Sequence, residues 1–250
     1  MLDLRALWTE PPFVANARAR TNHARLRILS PILTAIHAVN VIVFGLGTQA
    51  SGSERAWANH VAAAHACAGV SVLAVWLLGG YASSRKAPKP SVLPDLLGLG
   101  YILFAAVLAA IDQAITQSVT PYLVAAFGVG LVVRLRRGPL VVSYTVGLVV
   151  FAVLQARMQP LASVALSNQV NGFSITLVGL GAAWGAEQSF RRERLLEELL
   201  SICSYCHSIR NQDGKWEPVE QYVGRHADVA FSHGICEGCY QKQFGGTPAA

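Results

Sequence analysis

The chain has 250 residues, 53% of them apolar, a mean hydropathy of +0.41 and a net charge of +6. Only 14% of its residues are charged, against about a quarter in soluble domains. Seven charged residues fall in 1–27, eleven in 28–186 and sixteen in 187–250. This distribution excludes a uniformly solvated enzyme and a disordered basic tail, and predicts a helical membrane domain followed by a small water-soluble module.

Residues 1–27 are polar and rich in arginine, with no cleavable signal sequence expected. Residues 13–28 (FVANARARTNHARLRI) are expected either to lie along the membrane surface, arginines toward anionic headgroups, or to form a short solvated tail. Six stretches with few or no charges follow, each long enough for a helix across the hydrocarbon core once flanking residues are counted. They predict spans near 28–48, 58–81, 92–116, 119–134, 139–156 and 170–187. Pro31, Pro94, Pro121 and Pro139 are expected in or near first turns, where the missing N–H has no helical partner to lose.

Orientation follows from the basic residues. Thirteen of them occupy alternate span ends: Arg18, Arg20, Arg25 and Arg27; Arg85, Lys86 and Lys89; Arg134, Arg136 and Arg137; Arg191, Arg192 and Arg194. The opposite ends carry Arg55 and Arg157. Six spans with both termini cytoplasmic, in a bacterial inner membrane, satisfy this count. The net positive charge is then explained by topology, and no nucleic-acid partner is expected.

Polar side chains within apolar spans are the sequence signal for an intramembrane site, because unpaired polar groups are costly in lipid. His37, Asn40, His60, His65, Asp112 and Gln113 are the candidates, with Asn59 beside them. A pocket open to the far side, reading a small ligand, an ion or pH, is one expectation; hydrogen bonds to neighbouring helices are the other. His65 and Asp112 are expected within reach if spans two and three pack together. A haem between His37 and His65 is a further alternative. Gly181-x3-Gly185, Gly128, Gly130 and Gly179 are read as helix-packing positions. Residues 188–202 form a charged linker helix whose Leu195, Leu196, Leu199 and Leu200 make an apolar stripe, consistent with a homodimer or with the distal module folding back.

Cys67 stands alone in span two and reads as a packing residue. The other four cysteines form Cys203-x2-Cys206 and Cys236-x2-Cys239, two turns able to present four thiolates to one tetrahedral ion. Zinc is the expected ion and iron, in a rubredoxin-like site, the alternative. Cys203-Ser-Tyr-Cys206-His207 also matches the C-x-x-C-H signature of c-type haem, but that reading leaves Cys236 and Cys239 unexplained and conflicts with a cytoplasmic location. A reducing compartment argues equally against disulfides. With about 45 residues, the module is too small for a large core, so metal would supply much of its folding free energy. Residues 245–250 are expected to be a disordered tail.

Two resemblances are carried by particular residues. Ile202 to Arg210, Asp213-Gly214-Lys215-Trp216, Val219 to Tyr222 and Phe231 to Cys239 resemble a module found at the C-terminus of bacterial sensor histidine kinases, PAS-containing sensors and response regulators. That family usually has lysine at the position of His207. Asp112, Pro121-Tyr122-Leu123, Asn168, Asn171 and Glu187-x3-Arg191-Arg192-x-Arg194 resemble the six-helix membrane sensor domains that precede diguanylate cyclase (GGDEF) domains. Together they imply signalling: a membrane sensor relaying to a zinc-binding module, which recruits a cytoplasmic partner in place of a catalytic output. No catalytic residues are expected. The classes set against this are a haem or iron redox membrane protein and a small transporter or channel. The fold class expected is all-α: a six-transmembrane-helix bundle (28–187) with a small zinc-ribbon-like module (203–244).

Overall fold

The computed structural model describes residues 7–47, 52–81, 89–197, 201–211, 214–226 and 234–245. Arg85 and Lys86, Leu199 and Leu200, Asp213, Phe231 to His233 and the end of the chain from 246 lie outside them. The chain divides into two compact units, Met1–Leu196 and Glu197–Ala250.

The first unit is all-α: α1 (Pro12–Leu46), α2 (Gly52–Leu78), α3 (Leu93–Ile111), α4 (Thr120–Val132), α5 (Arg137–Met158) and α6 (Ala162–Glu197, continuing into the second unit). A short 3₁₀ turn, Asp112–Ala114, finishes α3. Prolines open α1, α3 and α4 in their first turns, where an absent N–H costs no hydrogen bond. Pro31 does not open a helix, because α1 already begins at Pro12 and carries Pro31 in its interior. Residues 13–27 are therefore neither a separate surface helix nor a solvated tail; they continue the axis of the first apolar segment.

Among the described residues, four helices are long and apolar enough to cross a membrane: Pro12–Leu46, Gly52–Leu78, Leu93–Ala114 and Arg137–Met158. The fourth and sixth expected spans differ. α4 has 13 residues, about 20 Å of helix against a hydrocarbon core of about 30 Å. α6 is long, but carries Asn168, Gln169 and Asn171 near its start and a charged run from Glu187 onward.

The six helices alternate in direction. At one end, hereafter the basic end, the start of α1 meets the close of α4 and the later part of α6, His23 of α1 packs on Tyr81 just beyond α2, and Asp95 at the start of α3 pairs with Arg136 just before α5. At the far end, Trp57 near the start of α2 reaches Asp112, and Gln113 meets Gln159 beyond α5 and Asn168 near the start of α6. The core between is aromatic and aliphatic: Tyr122, Tyr144, Phe151, Ile102 and Leu140 are fully buried, with the Tyr122 and Phe151 rings stacked at 4.0 Å. α4 and α6 approach closely at two glycines. A Cβ at Gly179 would run into the Ala126 carbonyl, and one at Gly130 into Ala183. Gly181, Gly185 and Gly128, read as packing positions with them, have open space where a Cβ would stand.

The second unit holds a small antiparallel hairpin, β1 (Ile209–Arg210) and β2 (Trp216–Glu217), followed by α7 (Val219–His226) and α8 (Glu237–Phe244). Gly214 takes φ 78° in the hairpin turn, a conformation that glycine adopts without steric cost, and the Asn211 side chain accepts the Lys215 N–H there. Ile209 is the one buried apolar side chain among this unit's described residues, which therefore form almost no hydrophobic core.

Candidate functional site

α1 and α2 pack side by side and bring His37 and His65 together. Their Nδ1 atoms lie 2.9 Å apart, and His37 Nε2 lies 3.1 Å from the Tyr101 hydroxyl of α3. One ring must therefore donate through Nδ1 while the other accepts, so the two imidazoles take complementary tautomers. Phe104 stands edge-on to both rings, and Phe44 stacks parallel to His65 at 6.4 Å. The result is a three-member polar chain walled by aromatic rings inside an apolar bundle. Gly69, one turn beyond His65, makes the approach possible: a Cβ there would stand 3.1 Å from that of His37.

The remaining candidates separate. His60 is exposed on the bundle surface, and Asn40, half-buried, bonds back to Ile36 of its own helix. Asp112 accepts the Trp57 indole N–H at 3.1 Å and does not meet His65. Trp57 precedes His65 by eight residues, about 12 Å along α2, so the close of α3 reaches only the first turns of α2. Gln113 joins a buried carboxamide cluster, its Oε1 accepting from Gln159 and Asn168, while Asn168 also donates to Gln155. A haem between His37 and His65 does not fit this geometry, since an iron ligated by both would hold the ligating nitrogens about 4 Å apart.

A second constellation, at the basic end, escaped the reading of single polar residues. Arg18, Asn22 and Arg25 share one face of α1 at i, i+4 and i+7. Arg18 donates to both carboxylate oxygens of Glu187 at 2.8 Å, to Glu10 and to the Leu135 carbonyl. The Asn22 side chain brackets Arg134, accepting its N–H and donating to its carbonyl. Arg25 donates to the carbonyls of Leu131 and Val132, which end α4 without helical partners. The signals for it were the arginine and asparagine spacing and Glu187, the first acidic residue after Asp112.

In the second unit, Cys203 and Cys206 lie on a tight turn in which the Cys203 carbonyl accepts from His207 and the Cys203 N–H donates to Ser208. His207 takes φ 58° to close it. Cys236 caps α8 and Cys239 lies in its first turn. Hydrogen bonds from the Ser208 side chain and backbone pull the Cys206 thiol down to about 7. The Cys239 backbone N–H lowers Cys236, and the Cys236 side chain raises Cys239. The donor set suits zinc or iron: four exposed or half-exposed thiols on two C-x-x-C turns. The two pairs are not joined, however, since no group of three or more His, Cys, Asp or Glu side chains converges among the described residues. No family model matches the chain, and no curated protein or solved structure matches it at a significant level.

Proposed function

We propose that the chain is a multi-pass membrane signalling protein. A six-helix bundle in the bacterial inner membrane, both termini cytoplasmic, responds to a change at or within the membrane. α6 relays that response to a cysteine module, folded around zinc, that recruits a partner protein and catalyses nothing itself. The observation that carries this reading is α6. It is anchored at one end of the bundle by Asn168 and toward the other by Glu187, then runs unbroken to Glu197, close before the cysteine turns. α4 and α6 are the remaining two spans of the reading, supported by their alternation with the four long helices and their share of the same core. The exposed Leu195 and Leu196 on the emerging helix suit a second copy of the chain. Zinc is supported by the thiol donor set and by the near absence of an apolar core among the module's described residues, which leaves metal as the source of folding free energy.

The test uses the full chain in nanodiscs. Metal analysis is expected to find zinc, and a strong chelator to abolish the structure of residues 201–245 while the helical bundle persists by circular dichroism. His37→Phe is expected to change the rate at which a chelator strips that zinc. Iron in excess of zinc, or a Soret band, overturns the reading in favour of a redox protein. Zinc release identical in wild type and variant overturns the relay.

A further inference from the structure

At the basic end, the first residues of α1, the close of α2 and the approach to α3 enclose a cavity of about 400 Å³, within the range of small-ligand sites. Trp8, Glu10, Arg18, Tyr81, Lys89 and Arg136 are on its wall. Glu10 is held by Arg18 at 2.6 Å, a guanidinium that it shares with Glu187. Arg136 spends its backbone N–H and its Nε on Asp95, which leaves both Nη groups without a hydrogen bond among the described residues. Lys89 has no ion pair or hydrogen bond among the described residues, and neither has the hydroxyl of Tyr81, a side chain 94% buried. Tyr81 shares the cavity with a guanidinium fork and an ammonium, three donor types, beside the Glu10 carboxylate that Arg18 holds.

We infer that this cavity binds a phosphate oxyanion, carried either by a phospholipid headgroup or by a small soluble phosphoester. A guanidinium fork and an ammonium match the geometry and charge of a phosphate, and Tyr81 supplies a neutral donor. The position suits either source, because Tyr81 directly follows the apolar run of α2. The inference rests on the cavity wall alone and is independent of the zinc and relay reading.

The experiment uses the full chain in phosphatidylcholine nanodiscs, with two arms. In the first, sn-glycerol 3-phosphate is titrated, with glycerol as control. In the second, phosphatidylglycerol is added to the bilayer and lipid retained on the protein is counted by native mass spectrometry. Lys89→Ala, on an exposed side chain, and Tyr81→Phe, which keeps the ring, are each expected to weaken binding about tenfold. Loss in the first arm assigns a soluble phosphoester and loss in the second a lipid headgroup. The inference is overturned if wild type binds neither probe, or if both variants bind as wild type does.

Discussion

Arg18 and Glu187, 169 positions apart in sequence, form a two-pronged ion pair, Nη1 to Oε2 and Nη2 to Oε1, each 2.8 Å long. Both side chains are almost wholly enclosed, and the Phe190 ring packs under the guanidinium at 5.4 Å. The first helix of the chain is thereby tied to the last helix of the bundle, the one that leads to the cysteines.

Removing one partner of such a pair leaves the other charge buried and uncompensated, typically at a cost of about 3–5 kcal/mol. Glu187→Ala should therefore lower the unfolding midpoint in detergent far more than Arg20→Ala, on a residue outside this network. Arg18→Met with Glu187→Met and Glu10→Gln should recover most of the loss, since the Glu10 carboxylate that also rests on Arg18 is then not stranded either. Equal midpoints for Glu187→Ala and wild type would show that the pair does not hold α1 to α6.

The His37 and Tyr101 contacts make a comparable prediction on a smaller scale. His65→Phe keeps an aromatic ring but leaves His37 Nδ1 without its partner at 2.9 Å, a buried unsatisfied group worth about 1–3 kcal/mol. Replacing both histidines with phenylalanine should cost less than the single change. A thermal denaturation series on the single and double variants measures the coupling directly; strictly additive losses would argue against a direct bond.

Glycines separate into two groups that the sequence cannot distinguish. Gly179→Ala places a methyl against the Ala126 carbonyl and should destabilise the bundle by about 1–3 kcal/mol, as overpacking does. Gly181→Ala and Gly185→Ala meet nothing within 4 Å and should leave thermal stability of the monomer unchanged or slightly raised. If they instead shift a dimer to monomer in analytical ultracentrifugation, that open face of α6 is where a second copy sits.

Where the Cys203–Cys206 turn keeps its fold, the Cys206 thiol, lowered to about 7 through its bonds with Ser208, should become a thiolate well below the pH of an ordinary cysteine, whereas in the chelator-unfolded module it should behave as an ordinary cysteine. Its alkylation by iodoacetamide should rise as pH increases through about 7 and level off above. Ser208→Ala should move that rise toward higher pH, because the lowering contact is gone. Mass spectrometry of the modified peptide follows the rate, and an unshifted profile in the variant would exclude Ser208 as the cause.

The sequence by itself determined the class of the fold and much of its layout. Long apolar runs with few charges can be satisfied only by helices that close their own hydrogen bonds, and the observed helices follow these runs, most closely from α3 to α5. Basic residues at alternate ends fixed the alternation. The pairing of His37 with His65 was half legible, because both are polar residues on neighbouring spans, but Tyr101 looked like one more aromatic in an apolar run. Only the tertiary structure decided which polar groups meet. It separated Asp112 from His65, turned His60 outward and left Asn40 bonded to its own helix. It gathered Arg18, Asn22, Arg25, Arg134 and Glu187 from three distant segments, and it carried α1 without a break through residues expected to lie apart from it. The physical reason is that helix register and rotation depend on close-packed contacts, such as Gly69 against His37 and Gly179 against Ala126. Those contacts belong to pairs of helices, and no single stretch of sequence contains both halves.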